Sequence, residues 1–152
     1  MARSQGVELA LLLLGGFEAM TGEVHAGLAS RGHPGVRPGH EFALNAIDAG
    51  ASTASELGRA LGVSKQAAAK TLAVLEQMGY VQREAHPADG RRQLIRVTDR
   101  GREMTALGAA LFEDVRNRWA DQVGMQALTA LETHLAQLVR PHRVGTEDLA
   151  QQ

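Results

Sequence analysis

Four punctuation residues confine the middle of this chain to two short helices. Thr53 with Glu56 has the T-x-x-E form that caps a helix start, and Gly62 ends the segment it opens. Ser64 caps the next segment, and Gly79 ends that one. The spacing predicts helices over about 53–61 and 64–78, joined by a few residues that include glycine, which is the helix-turn-helix pattern. After Gly79 the period shortens. Tyr80 to Ala85 and Gln93 to Val97 read as strands separated by PADG, with Asp89-Gly90 as the tight turn. A helix pair followed at once by a hairpin is a winged helix-turn-helix.

The flanks read as helix. Residues 5–30 carry Leu13, Phe17, Met20, Val24 and Leu28 at steps of three and four. Leu9 to Leu14 are apolar almost all round, so that part of the helix needs burial on several sides, as at a subunit interface. The connector RGHPGVRPGH, 31–40, is too rich in Gly and Pro to be helical throughout. A short helix is expected over 41–50, with Phe42, Leu44 and Ile47 apolar. Thr98 caps a long helix bearing Met104, Leu107, Leu111, Val115 and Trp119. Gly124 breaks it, 125–139 forms another with Leu128, Leu131, Leu135 and Leu138, and Pro141 stops that one before a polar tail, 142–152. With 3% aromatic residues the core is built from Leu, Val and Ala, which favours helix over sheet. The expected class is mainly α with a small β-hairpin, in one compact chain. Residues 37–103 would form the winged helix-turn-helix region, and 1–36 with 104–152 the dimerisation helices.

Charge points to the partner. The net charge is −1, yet residues 52–102 hold nine Lys/Arg against five acids, so this segment is +4 and the rest is −5. That is a basic module on an acidic body. On the second helix Ala68, Leu72 and Leu75 share the core face. Ser64, Lys65, Gln66, Ala69, Lys70 and Ala73 fall largely on the other. Small alanines let a helix approach base edges, Lys65 and Lys70 suit phosphate or guanine, and Gln66 suits adenine. The helix N-terminus adds partial positive charge toward a phosphate. Arg91 and Arg92 project from the hairpin tip and suit the narrow, negative minor groove, with Asp89 as a strut. The expected partner is double-stranded DNA.

Other classes fit less well. No Cys is present, which excludes disulfides and thiolate chemistry. The His residues 25, 33, 40, 86, 134 and 142 show no metal-ligand spacing, and neither a nucleophile motif nor a phosphate-binding glycine loop occurs, so the chain reads as no enzyme and as needing no cofactor. A metal-responsive regulator of the same fold is the main alternative, with His25, His33, His40 and Glu41 converging on zinc near the connector. A winged helix that binds protein rather than DNA is another, which the charged tip opposes. Arg3 and the run LALLLLGG, 9–16, loosely suggest a signal peptide, but Glu8 and Glu18 flank a stretch too short to span a bilayer. A buried helix and a cytoplasmic protein are the expectation.

The run 56–104 resembles the MarR family of bacterial transcriptional regulators. The features that carry it are Leu75, Gly79-Tyr80-Val81-x-Arg83, Asp89-x-Arg91 and Val97-Thr98-x-x-Gly101. Two departures are the Gly/Pro-rich connector and the AAAK sequence in the second helix. The resemblance implies a homodimer joined through its N- and C-terminal helices, a palindromic operator, and usually repression relieved by a small lipophilic or phenolic ligand. It also implies Arg91 as the minor-groove residue with Asp89 as its support. Phe17, Met20, His40, Phe42, Phe112, Arg116 and Trp119 are the candidates to line the effector cleft, with Arg116 near Trp119 offered to a carboxylate or a cation–π contact.

Overall fold

A computed structural model describes residues 4–139. Arg3, the stop at Pro141, His142 and the tail 142–152 lie outside the described residues, as do the ends of the two expected dimerisation segments. The element order is α1 (Gln5–Ala29), α2 (Pro38–Asp48), α3 (Ala54–Leu61), α4 (Lys65–Gln77), β1 (Val81–Ala85), β2 (Gln93–Val97), α5 (Asp99–Val123) and α6 (Met125–Leu138). The fold is mainly helical with one two-stranded antiparallel sheet.

The predicted caps are in place. Thr53, Ser64 and Thr98 accept hydrogen bonds from the main-chain N–H of Glu56, Ala67 and Gly101. Each such cap contributes about 0.5–2 kcal/mol. The T-x-x-E box at Thr53 is only half closed. The Glu56 carboxylate reaches one residue further back and accepts from Ser52 N–H at 2.7 Å and from the Ser52 hydroxyl at 3.0 Å. Ser52 in turn accepts from Ile95 N–H at 2.9 Å, so this cap also anchors the inner strand of the hairpin. Gly62 takes the left-handed conformation (φ 69°) that turns the chain between α3 and α4.

α2 departs from expectation. It begins at Pro38, inside the connector, and ends at Asp48. Proline at the first helical position lacks only an N–H that no helix partner would accept, and its fixed φ suits the start. The PG pair of the connector is thus a helix opening.

The core joins the C-terminal half of α1 (Val24, Leu28) to α2 (Ala43, Leu44, Ile47), α3 (Leu57), α4 (Ala68, Leu72, Leu75), the sheet (Val81, Ile95, Val97) and α5 (Met104, Val115). Gly101 is required by closeness: a Cβ there would run into the Tyr80 carbonyl oxygen. Thr98 completes that junction, donating its hydroxyl to Gly79 O at 2.6 Å while capping α5. The V-T-x-x-G pattern is therefore the packing of α5 against the base of the hairpin.

The N-terminal half of α1 and most of α6 are not buried within the chain. Leu9 and Leu12 are 58% and 68% exposed, Leu131 is 47% exposed, and of the α6 leucines only Leu128 is buried.

Candidate nucleic-acid interface

α4 is amphipathic as its sequence demands. Ala68, Leu72 and Leu75 are buried, and Ser64, Lys65, Gln66, Ala69, Lys70 and Ala73 are exposed. Ser64 spends its hydroxyl lone pair on capping and keeps its proton for a donor role.

The hairpin differs from the expected tight turn. β1 and β2 pair from Val81↔Val97 out to Ala85↔Gln93, leaving residues 86–92 as the loop. Gly90 is not among the glycines with positive φ, so Asp-Gly does not form the two-residue turn that its sequence suggests. His86 N–H instead bonds to Arg92 O at 2.9 Å, and Arg92 N–H to Asp89 O at 3.0 Å. The Asp89 carboxylate accepts from the main-chain N–H of Arg91 at 3.1 Å. Asp89 thus holds the backbone of the tip, not a guanidinium. Both Arg91 and Arg92 are exposed.

Pairing separates the nine cations of the basic segment into two groups. Arg83 bonds Glu76 at 2.9 Å, tying the hairpin to the end of α4, Arg96 bonds Glu84 at 2.8 Å, and Arg102 bonds Asp99 at 3.2 Å. Arg100 lies over the Tyr80 ring at 5.3 Å and donates to the Met78 and Gly32 carbonyls. Among the described residues, Lys65, Lys70, Arg91 and Arg92 form no ion pair, and neither does Arg59. Carboxylates neutralise Arg83, Arg96 and Arg102, while the charge on α4 and at the hairpin tip, like that of Arg59 on α3, is left without an ion pair. Counting charges along the sequence finds the basic segment but cannot tell these two groups apart.

The candidate effector residues divide between two cavities. Phe17, Met20, Phe112, Arg116 and Trp119 line a largely apolar groove of about 650 Å³ between α1, α5 and α6. Phe42 belongs to another cavity, of about 210 Å³ between α1, α2 and α5, where it joins Phe17 and Phe112. His40 lines neither of these. Its Nδ1 accepts from Arg37 N–H at 3.1 Å at the start of α2. Burial, aided by Arg37 and His25, holds its pKa below the usual histidine value. Arg116 is engaged too, donating to both oxygens of Glu132 at 2.6 and 3.1 Å. That bond holds the Glu132 carboxyl below its usual range. The cation–π contact expected beside Trp119 is found instead at Arg100 and Tyr80.

The three histidines in and beside the connector each take a different partner. His25 Nε2 bonds Glu41 at 3.1 Å, His40 faces its own helix start, and His33 turns inward to Tyr80. Among the described residues no three His, Asp or Glu side chains are grouped to hold a metal ion.

Known proteins carry the same fold. The model of the MarR family matches residues 38–92, from the start of α2 through the hairpin tip. This region of the chain is similar to the MarR family. Solved MarR-type structures superpose on nearly the whole chain. The reduced form of MarR from E. coli is 20% identical over 91% of this chain and 98% of its own, with a TM-score of 0.68. YusO from Bacillus subtilis is 20% identical over 91% and 99%, with a TM-score of 0.66. CouR from Rhodococcus jostii RHA1, bound to p-coumaroyl-CoA, is 20% identical over 92% and 97%, with a TM-score of 0.62. No curated protein matches the chain. Among the described residues no helix is long and apolar enough to cross a membrane.

Proposed function

We propose that this MarR-type chain is a sequence-specific, double-stranded-DNA-binding transcriptional regulator. In this reading it acts as a homodimeric repressor that a small lipophilic or phenolic ligand releases from a palindromic operator. The observation that carries the proposal is the uncompensated charge: Lys65 and Lys70 on the exposed face of α4, and Arg91 and Arg92 at the hairpin tip, while Arg83, Arg96 and Arg102 of the same segment are ion-paired. Ser64, Lys65, Gln66, Ala69 and Lys70 enter the major groove. Arg91 and Arg92 reach the minor groove, and Asp89 stiffens the tip by binding the Arg91 main chain.

The apolar ends support a dimer. The exposed leucines of α1 and α6, with the groove beside them, form a patch that a soluble monomer rarely carries. Burying it against a second copy gives two-fold symmetry, which suits paired half-sites about one helical turn apart. In this division α1, α5 and α6 dimerise, and the segment from α2 through β2 binds DNA.

Selection of bound sequences from random duplexes tests the proposal. A palindromic consensus is expected, with affinity falling steeply as salt rises because phosphate contacts release counterions. Failure to retain any duplex at low salt would overturn it.

A further inference from the structure

The smaller cavity has a chemical character that its sequence does not advertise. It brings together all three phenylalanines of the chain, Phe17, Phe42 and Phe112, with Thr21, Glu41, Asn45 and Thr105 among the polar lining. Glu41 is the acidic member of that wall, and no Lys or Arg lines it. The Glu41 side chain is only 12% exposed, and one of its oxygens is held by His25 Nε2 at 3.1 Å. Its other oxygen sits close over Gly108, where a Cβ would come within 2.9 Å of it.

The threonines add acceptors, not donors. Thr21 donates its hydroxyl proton to Phe17 O at 2.9 Å, and Thr105 donates its own to Arg102 O at 3.0 Å. Each is left with oxygen lone pairs. The wall therefore offers a carboxylate, two spent hydroxyls and three phenyl rings. Asn45 alone among its side chains still carries N–H groups to give. An anion entering this space would lose its water and meet a carboxylate. A donor-rich cation with an apolar body would meet acceptors and aromatic rings.

We propose that the cavity between α1, α2 and α5 takes a small aromatic ammonium: one ring on a short chain ending in a protonated amine. At about 210 Å³ it is smaller than typical drug-sized sites. It holds roughly seven waters at the liquid volume of about 30 Å³ each, which suits one ring and not a fused polycycle. The inference rests on the reading of the chain as an effector-released regulator and gives that effector a ring bearing an ammonium in place of a phenol. α2 supplies Glu41 and Phe42 and also packs on α3, α4 and β2, so an occupant wedged against α5 acts on the element that carries the DNA-binding helices.

Calorimetric titration of the full chain, free of DNA, with phenethylammonium, 2-phenylethanol and phenylacetate tests the class. The ammonium is expected to bind at least about tenfold more tightly than either near-isostere. Glu41→Gln, which keeps the shape and removes the charge, should abolish that preference. Equal or tighter binding of the alcohol or the carboxylate by the wild-type chain would overturn the proposal whatever the variant does. So would no ammonium binding, or a preference that survives Glu41→Gln in a chain of unchanged circular dichroism. Addition of phenethylammonium to the duplex-bound protein separates this failure from that of the wider reading. Ammonium binding without DNA release overturns the effector role and leaves the ligand class standing, whereas release by phenylacetate alone overturns the ligand class.

Discussion

The Nδ1 atom of His33 lies 3.0 Å from the Tyr80 hydroxyl, 47 residues away in sequence, and both side chains are almost wholly out of solvent. The bond fastens the connector after α1 to the hinge between α4 and β1. Arg100 reinforces it, stacking on the Tyr80 ring and bonding the Gly32 carbonyl at 2.9 Å. Burial pushes the Tyr80 phenol above its ordinary pKa, partly opposed by Arg100, so it stays protonated at neutral pH. Tyr80→Phe removes the hydroxyl and leaves a buried imidazole nitrogen without this partner. A loss of about 1–3 kcal/mol of stability is expected, read as a lower urea midpoint at unchanged slope.

Arg91→Ala should weaken binding to the selected duplex by about 1–3 kcal/mol and lower the salt slope by about one. The melting temperature should not move, because the side chain is exposed and the bonds that close the tip use its main chain. Unchanged affinity in a salt titration would remove the hairpin from the interface.

Gln66→Ala should act differently. The residue sits on the exposed face of α4 in its first turn, where a side chain reaches base edges. A repeated selection should return a consensus degenerate at one position per half-site, with total affinity less affected than by Arg91→Ala.

Leu131→Asp tests the apolar ends. Leu131 is 47% exposed in the single chain, so the substitution costs the isolated subunit little. Buried against a second copy, the unpaired carboxylate would cost on the order of several kcal/mol. Sedimentation equilibrium should show monomers, and an intact dimer would place the interface elsewhere.

His40 gives a pH dependence with a definite sign. Its folded pKa lies below the ordinary 6.5, chiefly because burial disfavours the charged ring. The unfolded chain therefore binds the proton more readily. The stability tied to neutral His40 is fully present above about pH 6.5 and is lost as pH falls below it. Protonation at Nδ1 would also remove the acceptor that Arg37 N–H uses. Denaturant midpoints measured downward from pH 7 should fall less steeply in His40→Gln than in the wild-type chain.

Local signals made the fold readable. Thr53, Ser64 and Thr98 cap through bonds to residues three positions on, and the helix and strand periods act over a few neighbours, so sequence spacing alone places these elements. The buried and exposed faces of α4 follow from the same periodicity. Where local rules compete, the chain went another way. The Pro38-Gly39 pair opens α2 where it reads as connector, and Asp89 holds its tip through a side-chain bond in place of a left-handed glycine.

The sequence by itself determined the kinds of elements, their order and the basic segment, because those depend on neighbours along the chain. Tertiary structure decided which charges are spent and which remain. Arg83 and Glu76 are seven residues apart, and Arg100 meets Gly32 across 68, so pairing that leaves Lys65, Lys70, Arg91 and Arg92 uncompensated arises only once distant segments touch. The same holds for the three phenylalanines, spread from 17 to 112, which gather around Glu41 only when α1, α2 and α5 pack. Contacts between residues far apart in sequence carry no local signature, and here they set both the charge free to meet DNA and the chemistry of the cavity.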